Sequence, residues 1–192
     1  MKTVLSTIVI MIVLVAVCGL VVIYSGLYNV GASEPHTGLM KWVLSTTSDH
    51  SVAAHAKRIT APKLTDTSMI LTGFAHYDEM CVGCHGAPGR KRDEFVEGLN
   101  PRPPSLVASV DDWSDSELFW ITKNGYKMTG MPGFGVNHSD QQIWDIVAFL
   151  RKLPDLDGAQ YDAMARRAQA AGVMELDDDD EGKAEAGDMP KP

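Results

Sequence analysis

The feature that most limits how this 192-residue chain can fold is an apolar run at residues 4–23, VLSTIVIMIVLVAVCGLVVI. The run carries no charge, and as an α-helix it would be about 30 Å long, the thickness of the bilayer hydrocarbon. Lys2 before the run favours the cytoplasmic side, whereas Tyr24 and Tyr28 after it suit the far interface. We therefore predict a transmembrane anchor over residues 1–32, with the rest of the chain outside the cytoplasm.

Cleavage of this segment as a signal peptide is the competing interpretation. Val30 and Ala32 fit a small-residue cleavage pattern. The apolar run, however, is longer than the roughly 7 to 15 residues usual in a signal peptide, so we favour an uncleaved anchor. Val17 precedes Cys18, where a lipoprotein needs a small residue, and Cys18 is expected only to pack within the membrane segment.

The net charge of −8 is concentrated at one end of the chain. Residues 175–192 contain eight acids against Lys183 and Lys191, which gives −6 and leaves only −2 for the remaining 174 residues. With five adjacent acids at 177–181 and few apolar residues, this tail is predicted to be disordered. No long basic run occurs, so a nucleic-acid partner is not expected.

Between anchor and tail, the pattern predicts an all-α domain at residues 68–153. The N-cap signals are Asp66 or Thr67 for the first helix, Ser114 with Glu117 for the second, and Ser139 with Gln142 for the third. Residues 33–67 are polar with scattered apolar positions and are predicted to be a juxtamembrane stalk. The alanine-rich residues 154–174 are predicted as a possible short helix.

The sequence CVGCH, Cys81 to His85, is the strongest chemical signal in the chain. A zinc site would need two further ligands, and the other histidines show no metal-ligand spacing. A redox dithiol would be expected in a βαβ unit rather than at the end of a helix. The spacing is that of c-type haem attachment, in which Cys81 and Cys84 form thioethers to the haem and His85 ligates its iron.

With this motif, residues 68–153 resemble a class I cytochrome c. The resemblance implies three main helices around one covalently bound haem c, with a methionine loop before the last helix. Gly73 and Tyr77 match the small-then-aromatic pattern of the family's first helix, where the glycine admits the last helix, and Trp144 and Phe149 are the aromatic candidates on that last helix.

The segment MPGFG resembles the family's distal-ligand sequence MPAFG and assigns Met131 as the second iron ligand, with Met128 in reserve. A glycine-rich loop lets the methionine approach a porphyrin closely. The family also places the carbonyl that accepts a hydrogen bond from the proximal histidine at a proline, here Pro103 or Pro104. Trp120 and Trp113 are candidates for lining the haem, although core packing explains them nearly as well.

Histidine and thioether ligands leave the iron no open position, so the expected function is one-electron transfer rather than substrate chemistry. The resemblance implies a carrier between a dehydrogenase or quinol-oxidising complex and a terminal oxidase or reductase. We expect a single-pass protein of the bacterial inner membrane with its haem domain in the periplasm or cell exterior. The alternatives are a fixed haem c subunit of a membrane-bound dehydrogenase or oxidase complex and, less favoured, a haem-based sensor or peroxidase.

Overall fold

The computed structural model describes residues 1–174, and the acidic tail predicted to be disordered lies outside them. Within residues 1–174 the chain forms helices and no β-strand, which confirms the all-α prediction. The α-helices are α1 (Lys2–Ser25), α2 (Gly38–Ala56), α3 (Thr67–Met80), α4 (Val82–His85), α5 (Leu106–Ser109), α6 (Asp115–Asn124), α7 (Asp140–Lys152) and α8 (Gly158–Ala170). Short 3₁₀ turns lie at Glu94–Gly98, Val110–Asp112, Phe134–Val136 and Leu153–Asp155.

The crossing of α3 and α7 is the most extensive helix contact among the described residues. Gly73 faces the main chain of Asp145 directly, and an added Cβ would overlap that carbonyl group. Around this contact, Phe74 and Tyr77 place their rings 5.3 Å and 5.2 Å from the ring of Phe149. The close approach expected at Gly73 is therefore present, with Phe149 as the aromatic partner.

Helix α6 completes the central group by packing against α7. Its Phe119 ring stacks on Trp144 with centroids 4.2 Å apart. The capping boxes predicted at Ser114 with Glu117 and at Ser139 with Gln142 are both formed, at the starts of α6 and α7. Local hydrogen bonding thus fixes where these two helices begin.

Helix α8 joins the core as a fourth packed helix. Tyr161 is fully buried against Phe74, and its hydroxyl donates to the Asp78 carboxylate at 2.7 Å. Arg90 pairs with Asp162 at 2.9 Å on the outside. The alanine-rich stretch predicted as a possible short helix therefore also covers one side of α3.

Residues 33–67, interpreted from the sequence as a stalk, contain the 19-residue helix α2. Its second half packs on α6, where Val52 and Ala56 are buried. The His55 imidazole lies 5.3 Å from the Trp120 ring, and Ser116 Oγ donates to the Ile59 carbonyl at 2.8 Å. This part of the segment is thus attached to the helical domain.

Helix α1 has 24 residues, reaches a mean hydropathy of 3.1 over its most apolar 18 residues, and has no residue buried within the protein. By length and composition it can cross a membrane, as an N-terminal signal sequence also could. Its last residue is Ser25, and the following residue, Gly26, caps the helix with φ 68°. The apolar helix expected at the N-terminus is therefore formed, and it fits a single-pass anchor.

Candidate haem-binding site

The candidate site begins at the C-terminal end of α3. Cys81 caps that helix, and the chain continues directly into the single turn α4, Val82–His85. The amides of Cys84 and His85 both donate to the Cys81 carbonyl, at 3.1 Å and 2.9 Å. Residues three apart on a helical turn share a face, so this turn presents Cys81 and Cys84 on one side, with His85 next to them.

The two cysteines are both free thiols. Cys81 is buried, and that burial, followed by the neighbouring Cys84, raises the pKa of its thiol to about 12. A redox dithiol needs the opposite shift, because its attacking sulfur must be a thiolate near neutral pH. The described residues 1–174 also contain no group of three or more His, Cys, Asp or Glu side chains placed to hold a metal ion.

His85 is oriented by a main-chain contact across the fold. Its Nδ1 donates to the Pro104 carbonyl at 2.9 Å, so the neutral tautomer leaves the Nε2 lone pair free. Burial lowers the pKa of His85, which favours the neutral imidazole that a metal requires. Of the two prolines that the sequence left open, Pro104 supplies this carbonyl.

Two residues that the sequence did not assign to the site hold the turn in place. The buried Tyr77 hydroxyl donates to the Gly86 carbonyl at 2.6 Å, and Arg92 Nε donates to the His85 carbonyl at 3.4 Å. Tyr77 was predicted only as a packing residue. A single tyrosine hydroxyl nine positions from its acceptor gives no sequence signal, so only the fold reveals this contact.

The methionine loop follows α6 and closes on itself through Met131. The Met131 amide donates to Thr129 Oγ1 at 3.1 Å, and its carbonyl accepts from the Tyr126 amide at 3.2 Å. Gly125, at φ 66°, lies so close to the backbone of Met131 and Pro132 that any larger residue would collide with it. The backbone of Met131 is therefore fixed with respect to the end of α6.

The two methionines of the loop differ in their surroundings. Met131 is half-buried, whereas the Met128 side chain is 94% exposed, on a residue with φ 60°. A ligand held against a porphyrin must face the protein interior, so this difference favours Met131 over the reserve candidate.

The tryptophan candidates have identifiable protein partners. Trp120 is half-buried and its ring lies over His55 of α2, with 31° between the ring planes. Trp113 packs against the core, and its carbonyl accepts from Arg151 Nη2. A haem-lining role for either residue stays a prediction.

The donor set of the Cys81–His85 turn fits haem c. Two unpaired thiols sit one helical turn apart, and the adjacent imidazole has one nitrogen engaged and the other available. Thioether formation needs free thiols, and iron ligation needs a neutral imidazole with a free lone pair. The same features do not assemble a four-ligand zinc site.

Comparison with known proteins agrees with this fit. Residues 68–150 match the family model described as cytochrome C oxidase, cbb3-type, subunit III. The search of curated proteins gave no match. The matched range runs from the first turn of α3 to the last turns of α7, and so includes both the Cys81–His85 turn and the methionine loop.

Proposed function

We propose that this chain is a membrane-anchored electron carrier, because residues 68–150 match a cytochrome c family model, which implies haem-based electron transfer. In this proposal one haem c is attached through Cys81 and Cys84, and its iron is ligated by His85 and Met131. The observation that carries the proposal is the orientation of His85, whose Nδ1 is engaged by Pro104 beside two free thiols.

Each side chain has a defined task. Cys81 and Cys84 would hold the haem through thioethers, which would form as the S–H of each thiol adds across one vinyl group. Pro104 holds the His85 ring in position, and the bonded loop at Thr129 and Tyr126 presents Met131. The bound haem supplies a one-electron iron couple, and a thioether ligand favours its reduced state.

A sealed iron distinguishes an electron carrier from a sensor or peroxidase. Met131 would occupy the iron position opposite His85, so that a small molecule would have to displace its sulfur in order to bind. We place the haem domain on the periplasmic or outer face of a bacterial inner membrane, since haem attachment occurs outside the cytoplasm. The partners are then redox proteins: a dehydrogenase or quinol-oxidising complex as donor, and a terminal oxidase or reductase as acceptor.

Carbon monoxide binding to the reduced, haem-loaded protein tests this function. We expect wild type and Met128→Leu to bind the gas weakly, and Met131→Leu to bind it readily. Met128→Leu is the matched control because it removes the same side chain from the same loop. Ready binding by wild type would contradict the sealed iron and favour a sensor or peroxidase.

A second candidate function is a fixed haem c subunit of a membrane-bound oxidase. The match of residues 68–150 to a model named for an oxidase subunit favours it. Purification in mild detergent separates the two functions. Copurification of oxidase subunits in constant ratio would indicate the fixed subunit, whereas isolation of the chain alone supports the tethered carrier.

A further inference from the structure

The first two turns of α2 expose a group of large apolar side chains to solvent. Leu39 is 72% exposed and Trp42 is 63% exposed. Together with their neighbours they form what we call the apolar end of α2: Leu39, Met40, Trp42, Val43 and Leu44. These five lie within six consecutive positions, interrupted only by Lys41, so they surround the helix rather than forming one stripe. Grouped exposure of this kind marks an interaction surface.

The opposite end of α2 is already occupied. Val52 and Ala56 are buried, and the His55 ring lies 5.3 Å from the Trp120 ring of α6 at a tilted angle. The helix therefore has one end docked on the haem domain and one apolar end without a partner in the described chain.

The chain between α1 and α2 keeps this apolar end near the candidate membrane span. Only residues 26–37 separate the two helices, and they do not run straight. The Tyr28 hydroxyl lies 3.4 Å from His36 Nδ1, and the Glu34 amide donates to the Gly31 carbonyl at 3.1 Å. These contacts bring the start of α2 close to the end of α1.

The interface region of the bilayer would reach the start of α2. Helix α1 is about 36 Å long at 1.5 Å per residue, slightly more than the roughly 30 Å of hydrocarbon, so its last turn lies among the headgroups. Tryptophan is enriched at that depth, and a lysine there can extend its ammonium to the headgroups. Trp42 and Lys41 fit this environment.

We propose that the apolar end of α2 inserts into the lipid interface on the side of the membrane where the haem domain lies. This inference rests on α1 crossing the membrane, as in the proposed function. Since the other end of α2 is docked on α6, the insertion fixes the height and orientation of the haem domain above the bilayer. Val52 lies 14 residues from Gly38, so the buried contact of α2 with α6 is held about 21 Å along the helix from the inserted end.

Site-directed spin labelling of the full haem-loaded chain in lipid nanodiscs tests this inference. Single cysteines replace Leu39, Val43, Ala54 or Val13 in a Cys18→Ala background, and each carries a nitroxide. Oxygen, which concentrates in lipid, and a water-soluble nickel complex then report the surroundings of each label. Ala54 is the matched control because it is exposed on the same helix beyond the apolar end.

We expect the labels at positions 39 and 43 to be accessible to oxygen and shielded from nickel, with a ratio several-fold above that at position 54. Labels at 39 and 43 that behave like the one at 54 would overturn the inference. Shielding from both reagents would overturn it too, and would indicate a protein surface on the apolar end. Nickel access at position 13, within α1, would instead show that the proposed anchor itself has failed.

Discussion

Gly73 of α3 and Asp145 of α7 are in main-chain contact at the centre of the domain, and no Cβ fits between them. This contact sets how closely the two helices cross. A side chain of any size at position 73 must therefore separate α3 from α7.

We expect Gly73→Ala to lower the free energy of unfolding by about 3 kcal/mol, at the upper end of overpacking effects. Chemical denaturation of the detergent-solubilised chain measures this change. Gly98→Ala is the control, since an added Cβ at Gly98 meets nothing within 4 Å. Equal and small effects of the two substitutions would show that the crossing is not tightly constrained.

Removal of the Tyr77 hydroxyl should loosen the turn that carries His85. Tyr77→Phe leaves the Gly86 carbonyl without its buried donor, at a cost of about 1 to 3 kcal/mol. Faster hydrogen exchange at the His85 and Gly86 amides, followed by mass spectrometry, would reveal the local effect. Tyr161→Phe removes an equally buried hydroxyl bound to Asp78, so it should not accelerate exchange at that turn selectively.

The attachment proposed at Cys81 and Cys84 predicts how haem behaves on denaturing gels. Cys81→Ser and Cys84→Ser should each keep the haem through one thioether, and the double variant should release all of it. Cys18→Ser, which alters the remaining cysteine, should retain haem like wild type. Haem retained by the double variant would disprove covalent attachment at this motif.

A histidine outside the haem site should make stability depend on pH. Burial lowers the pKa of His76, and the nearby His138, whose ring centroid is 5.5 Å away, lowers it further. Glu79 and Asp145 face the same imidazole and oppose the shift. The folded-state pKa lies below the unfolded value of about 6.5. Above that pH, His76 is neutral in both states and does not lower the free energy of unfolding. As the pH falls toward the folded-state pKa, the unfolded chain binds the proton first, and stability is lost.

His76→Gln should therefore reduce the loss of unfolding free energy between about pH 7.5 and pH 5.5. Denaturant titrations at the two pH values provide the comparison. The Asp145 pKa is raised by burial, so its titration has the opposite sign and remains in the variant. An unchanged pH dependence in His76→Gln would exclude His76 as the source.

Sequence patterns predicted the parts of this fold that depend on local chemistry. The capping boxes that begin at Ser114 and Ser139 each join residues three positions apart, so their geometry follows from the sequence alone. The spacing of Cys81, Cys84 and His85 likewise places them on one helical turn, and their role in haem attachment stays a prediction. Pro103 and Pro104 could not be separated, because the choice depends on how a loop meets His85 from 19 positions away.

The contacts that sequence reasoning missed are between distant segments. Helix α2 is attached to the domain by His55 against Trp120, and α8 by Tyr161 in the core. A single histidine in a polar stretch gives no strong sequence pattern for a helix contact. The same is true of one tyrosine in an alanine-rich stretch. These helices are recognised only when their partners are positioned by the fold.

The contact between Gly73 and Asp145 joins two helices at opposite ends of the chain segment that carries the proposed haem ligands. The residues proposed to bind haem, from Cys81 to Met131, all lie in the chain that connects the two crossing helices. A substitution at the exposed Met128 would alter the surroundings of the proposed haem at a position away from that crossing. Under the proposed function, exposed positions of the connecting segment are therefore where the surroundings of the haem would change while the same pair of helices continues to pack at the centre of the domain.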